Sequence, residues 1–199
     1  MRILVVGGAG LVGKAALSGL TSGHDIVIAG RNSGDVKVDL MDEASIAAMY
    51  QKLGKVDAVV ACTGHSHFGP VKDMTPTQFL GGLKDKLMGQ ISLVLLGHAH
   101  LNDGGSFTLT SGVLTHEAIR QGANAAAIDG AIDSFVISAA VEMLRGIRIN
   151  AVSPGLLASA AIKYTGFFPG HRAVSDAEVG LAFAKSIEGA VTGQVIKCQ

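Results

Sequence analysis

Apolar residues in this chain come in blocks whose spacing changes from one segment to the next, and the blocks define its elements. Arg2-Ile3-Leu4-Val5-Val6 is an unbroken apolar run closed by glycines, which reads as a strand buried on both faces rather than one face of a surface helix. From Leu11 the period becomes helical, with Leu11, Val12, Ala15, Ala16, Leu17 and Leu20 recurring on one side. Asp25-Ile26-Val27-Ile28-Ala29-Gly30 is a second strand, ending in Arg31. Only Asn32 to Asp35 precede the next strand-like run, Val36 to Leu40. A parallel crossover normally takes about a dozen residues, so this run is either displaced along the sheet edge or paired otherwise.

The blocks continue to the end of the chain. Met41 to Gly54 predicts an amphipathic helix with Asp42 as N-cap and Ile46, Met49, Tyr50 and Leu53 on its apolar face. Val56 to Cys62 is another buried strand. Thr75-Pro76 opens a helical region to about Leu101, with Leu80, Leu83, Leu87, Ile91, Val94 and Leu95 as an apolar face and His98 and His100 near its end. Asn102-Asp103-Gly104-Gly105 reads as a turn before a strand at Ser106 to Thr110. Gly122 to Leu144 predicts a helix apolar on nearly every side, which must be buried on every side. One side can cover a sheet, and the other most economically meets a symmetry mate. Arg145 to Gly155 gives a turn, another strand and a loop, followed by a segment expected to be mobile at Gly166 to Gly170, a helix over Asp176 to Gly189 and a last strand at Gly193 to Ile196. Strand and helix alternate throughout, as in an open α/β sheet.

Composition narrows the reading. The 199 residues suit a single domain, 1–199. Lys+Arg 16 balances Asp+Glu 16, which argues against capture of nucleic acid or of an anionic membrane surface. No apolar run approaches the ~18 residues of a membrane span, and no secretion signal precedes the first strand, so a cytoplasmic location is expected. Cys62 and Cys198 fit no metal or redox spacing. Charged residues make up 16%, against about 25% in typical domains, which suggests surface hidden in an oligomer.

The candidate chemistry begins at Gly7, Gly10 and Gly13, spaced three apart between a strand and a helix. Without side chains, such a loop lets backbone N–H groups and a helix dipole meet a phosphate, with Leu11 and Val12 in the first turn. The end of the second strand reads Arg31-Asn32-Ser33, a guanidinium and two small polar groups where an NAD site places an acid. A bidentate contact to a 2′-phosphate favours NADP(H). Thr63-Gly64 closes the strand after Val56, where an open α/β sheet holds its ligand. His65 and His67 lie just beyond without an acidic or cysteine partner, so no metal is expected.

Together the glycine loop, Thr63-Gly64, Leu109-Thr110-Ser111 and above all Gly146-Ile147-Arg148-Ile149-Asn150-Ala151-Val152-Ser153-Pro154-Gly155 resemble a short-chain dehydrogenase/reductase. The resemblance covers nearly the whole chain. It implies a doubly wound Rossmann-type parallel sheet of seven strands with helices on both faces, and a nicotinamide cofactor. It further implies homodimers or homotetramers built on two long helices, here 79–101 and 123–144. Asp39 would contact adenine, Thr63 and Gly64 would line the cofactor, and Pro154, Gly155 and Leu156 would pass the nicotinamide.

The family's catalytic pattern is met in part. Registering the chain on it puts Ala125 at the tyrosine position, Asp129 at the lysine position and Lys86 at the asparagine position, with Ser111 retained. The expectation is an exchanged charge pair, Lys86 facing Asp129, serving either proton transfer or structure. Tyr164 and His116 are lesser candidate proton donors. The chain thus reads as an NADP(H)-dependent oxidoreductase for a small carbonyl or alcohol substrate. The competing readings are a catalytically inactive NADP(H)-binding sensor and a purely structural oligomer.

Overall fold

In a computed structural model describing residues 1–199, the strands β1 (Arg2–Val6), β2 (Asp25–Gly30), β3 (Val36–Lys37), β4 (Val56–Ala61), β5 (Leu101–Thr110), β6 (Arg148–Pro154) and β7 (Val195–Cys198) form one sheet. Their order is β3-β2-β1-β4-β5-β6-β7, and every pairing is parallel. β1 lies mid-sheet because Ile3 to Val6 offer no polar face, and all four are buried.

Helices cover both faces. On one side α2 (Glu43–Leu53), α4 (Gly89–Gly97) and α5 (Ala123–Ala140) enclose the larger core with Leu4, Phe107, Leu109 and Ile149. On the other, α1 (Leu11–Gly19) and α6 (Asp176–Ile187) enclose a smaller core with Ile3, Val5, Val60 and Phe183. α1 and α6 cross where Gly19 meets the backbone of Gly180, with no room for a Cβ on either. At their ends Glu188 accepts from Thr21 N–H at 2.9 Å and lies 2.8 Å from His24 Nε2.

The α2 reading holds in detail. Asp42 accepts from Ala44 N–H, and Ile46, Met49, Tyr50 and Leu53 are the buried face. Four other readings need correction. β3 is a parallel edge of two residues, brought alongside β2 by a tight return in which Gly34 has φ +97° and Asp35 accepts from Ile28 N–H. The Asn102–Gly105 turn is instead an irregular stretch within β5, because Val56 pairs with Leu101 while Ala58 pairs with Ser106. Arg145 holds it by donating to the carbonyls of His98 and Leu101.

The helical region after Thr75 is α3 (Pro76–Gly82), a π-helical turn (Leu83–Met88) and α4. Leu83, Leu87 and Val94 pack on the larger core as expected, but beyond the wider turn Leu93 is buried and Leu95 exposed, and Leu80 before it is also exposed. α5 ends at Ala140, and its outer side leaves Ile137 exposed, with Val141 and Leu144 exposed just beyond. No helix is long and apolar enough to cross a membrane.

Two stability measurements check this packing. Gly19→Ala should lower the unfolding free energy from urea titration by about 1–3 kcal/mol, as overpacking does, whereas Gly81→Ala, on exposed α3 with nothing within 4 Å, should be neutral or stabilising. Equal effects would contradict the α1–α6 crossing. The hydrogen bonds from His24 and then Thr21 hold the Glu188 carboxyl below its usual range. Its contribution is therefore complete above the ordinary pKa of about 4.3 and is lost as pH falls through the depressed value. Glu188→Gln should remove that part of the acid-limb stability loss, and an unchanged acid limb would contradict the contact.

Candidate functional site

The carboxyl ends of the strands open onto a cleft of about 620 Å³, which follows from how the sheet changes direction at β1 and β4. Gly7 turns out of β1 at φ +83°, and a Cβ there would lie 2.7 Å from the Cys62 carbonyl. Gly13 packs on the backbone of Gly7 and Gly8 with no room for a side chain. These two glycines stand behind the wall and let α1 begin close over the strand end. Gly10, Leu11 and Val12 form the wall itself. Gly10 caps α1 without a side chain, the first turn carries no acid, and the N–H groups of Leu11, Val12 and Gly13 have no carbonyl partner. Such an end is suited to an anion.

A smaller cavity lined by Val6, Gly30, Arg31, Asn32, Val38 and Leu40 shares Thr63 and His65 with the main cleft, so the two form one groove. Arg31 Nη2 donates to Asp39 Oδ1 at 3.0 Å, and its side chain remains half exposed. A hydrogen bond from Met41 N–H, reinforced by Arg31, holds the Asp39 carboxyl below its usual range. Asp39 and Ser33 do not line the cavity, and Ser33 instead packs against Gly30.

Farther along, Thr63, Gly64, Pro154, Gly155 and Leu156 line the main cleft with Ser111. Gly64 has φ +113° and packs on Lys86, where a side chain would collide with the Lys86 Cα and Cβ. Lys86, on the π-helical turn, thus reaches the cleft and donates to Asp129 Oδ1 at 2.6 Å and to the Ser111 carbonyl at 3.1 Å. The pair is nearly enclosed, with 15% of the Lys86 and 4% of the Asp129 side chain exposed. Burial pushes the Asp129 carboxyl above its usual range, outweighing the Lys86 ammonium, and Asp133 adds to the rise. Ser111 Oγ is buried without a partner.

Of the two tyrosines, Tyr50 is buried in the core and donates to the Leu93 carbonyl, whereas Tyr164 lines the cleft. His116 does not line it, and Ala125 does. His65 Nδ1 lies 3.4 Å from Asp85, and no group of three or more His, Cys, Asp or Glu side chains is placed to hold a metal. Burial raises the Cys62 thiol to about 12. Gln90 escaped the sequence reading. Beyond the last β4–β5 pairing, Val60 with Thr108, its buried amide takes both backbone groups of Thr110 and so holds the strand end that carries Ser111. A buried glutamine one residue into a helix gives no periodic signal. Phe68 and Phe168 were missed as cleft walls for the same reason, since both belong to loops.

Several proteins share this arrangement. A crystal structure of the Listeria innocua protein lin1944 superposes with a TM-score of 0.97 at 47% identity, over 99% of this chain and 98% of that one. A small-chain dehydrogenase in complex with NADPH gives a TM-score of 0.87 at 26% identity, over 100% of this chain and 96% of its own. Among curated proteins, versicolorin reductase stcU of Emericella nidulans is 34% identical over 62% of this chain, and tetrahydroxynaphthalene reductase of Pyricularia oryzae 28% over 67%. The chain spans about half the length of these curated relatives, 46% and 51%. The family model described as enoyl-(acyl carrier protein) reductase matches residues 18–196, from α1 to β7. A match across that length, on a parallel sheet whose strand ends open into one groove, means that the chain belongs to the short-chain dehydrogenase/reductase family.

Proposed function

We propose that this chain is an NADP(H)-dependent oxidoreductase for a small carbonyl or alcohol substrate, working with a non-standard set of catalytic groups. The observation that carries the reading is the groove from Arg31 past the bare N-terminus of α1 to the unpartnered hydroxyl of Ser111. Its residues fit the cofactor. Three free N–H groups with no competing acid suit the diphosphate, and Arg31 and Asn32 at the end of β2 suit a 2′-phosphate. Asp39 would act by orienting Arg31, with Ser33 shaping the turn at Gly30. Thr63, Gly64, Pro154, Gly155 and Leu156 would flank the nicotinamide. When bound, the cofactor supplies or accepts hydride. A relative's complex with NADPH supports the choice of dinucleotide.

The chain's own residues would manage the substrate oxygen and its proton. Ser111 Oγ donates to that oxygen. Neither a tyrosine nor a lysine stands at residues 125 and 129, and Lys86 with Asp129 takes over as the proton-holding pair beside Ser111. Exposed Leu95, Ile137, Val141 and Leu144 on and beside α4 and α5 support a homodimer or homotetramer through these helices.

Three outcomes are expected. NADPH fluorescence should titrate saturably, and Arg31→Asp should weaken NADPH by about 10-fold or more, as losing a charge-assisted phosphate contact does, while changing NADH little. Equal losses for the two nucleotides would contradict the 2′-phosphate contact. Turnover of aldehydes, ketones or quinones separates an enzyme from a nucleotide-binding sensor, which would bind NADPH and reduce none of them. Lys86→Ala should cost about 3–5 kcal/mol of stability by stranding a buried carboxylate. The Lys86→Ala/Asp129→Ala double variant should cost less than the two single changes together, and strict additivity would show that the side chains do not act as a pair.

A further inference from the structure

The segment between β6 and α6 crosses the cleft wall, and two of its rings, Tyr164 and Phe168, line the cavity. They are anchored on opposite sides. Tyr164 packs against the apolar cluster under α1 and α6, while Phe168 packs against the separate cluster of Val113, Leu114 and Ala125. Their centroids are 6.2 Å apart with the planes at 80°, forming an edge-to-face corner. Each ring has a further anchor. Lys163 Nζ stands 5.4 Å from the Tyr164 centroid, and the His171 ring meets Phe168 at 5.3 Å and 86°. Neither ring is free to collapse into the cavity without giving up these contacts.

The same cavity contains a hydrogen-bond donor that folding leaves unused. Ser111 Oγ is buried and has no partner, although its backbone carbonyl and N–H are both engaged. The nearby ammonium of Lys86 is already committed to two acceptors. A ligand oxygen that accepts, with no need to donate, satisfies Ser111. A carbonyl does so. A perpendicular pair of rings offers a face and an edge at once, which a third aromatic ring can use through offset or edge-to-face contact and a saturated ring cannot.

We propose that this end of the cleft is a binding site for a small planar aromatic carbonyl compound, its ring held at the Tyr164–Phe168 corner and its oxygen accepting from Ser111. The proposal deepens the oxidoreductase reading, on which it rests for the identity of the remainder of the groove. Size follows from that reading. The cavity of about 620 Å³ must also admit the nicotinamide end of the cofactor, which leaves room for one or two fused rings. Phe168 is a specificity-determining residue in this account, and its neighbour Ala125 contributes only a methyl to the wall.

Calorimetric or NMR titration of the full chain with 1-indanone, its saturated counterpart octahydroinden-1-one, and indane tests this without turnover. The aromatic ketone should bind about 5-fold or more tighter than the saturated one, in line with the worth of an aromatic pair. Ser111→Ala should weaken 1-indanone by about 5-fold and leave indane unchanged. Phe168→Leu and Tyr164→Leu should each reduce the preference for the aromatic ketone. Equal binding of the two ketones by the unaltered protein would overturn the proposal, and this comparison needs no variant to fold. NADPH titrated in parallel distinguishes the failures. Saturable NADPH binding without aromatic preference would reject the aromatic site alone, whereas aromatic preference without NADPH binding would reject the nucleotide reading and leave the subsite standing.

Discussion

The close approach of α1 to the end of β1 is the constraint on which the site depends. β1 is apolar on both faces and so lies mid-sheet, and the chain leaves it through Gly7 in a conformation that an L side chain rarely adopts. Gly13 then rests directly on the backbone of Gly7 and Gly8. A single Cβ at either position would push the helix away from the strand. Because neither has one, the first turn of α1 opens at the centre of the sheet edge with its N–H groups unpaired. Sheet order does the rest, since β2 and β3 run to one side of this corner and β4 to β7 to the other. The groove between them leads from Arg31 to Ser111.

The charges in the groove are economical. Apart from Arg31 and Asp85 at one end and Lys163 at the other, the enclosed charge is the Lys86–Asp129 pair, nearly neutral as a unit. Its formation rests on two absences of side chain: Gly64 makes room for the stem of Lys86, and a Cβ at Gly112 would lie 2.6 Å from Asp129 Oδ2. A buried pair of this kind contributes little net stability, because desolvating two ions offsets their attraction.

Much of this was legible in the sequence because it rests on local signals. The strand–glycine–helix corner, the α2 face from Ile46 to Leu53 and the Asp42 cap are spacings within a dozen residues. The meeting of Lys86 with Asp129 was legible for another reason, since the family resemblance supplied a register that local pattern lacks. What escaped depends on long-range geometry or on signals with two meanings. Asn102-Asp103-Gly104-Gly105 has the composition of a turn, but the same residues tolerate a strand irregularity, and Arg145, forty residues on, holds it there. The π-helical turn at Leu83–Met88 has no sequence period of its own, so the apolar stripe is right at Leu83, Leu87 and Val94 but wrong at Leu80 and Leu95. Gln90 acts on the cleft through Thr110, distant in sequence, and Phe168 lines it from a loop that carries no period.

A crystal structure of the protein grown with NADPH tests the central claim most directly. The account requires the diphosphate against the N–H groups of Leu11 and Val12, the adenosine end beside Arg31, and the nicotinamide between Thr63-Gly64 and Gly155-Leu156. Nucleotide density elsewhere on the protein, or a corner at Gly10 closed by neighbouring side chains under saturating NADPH, would contradict it.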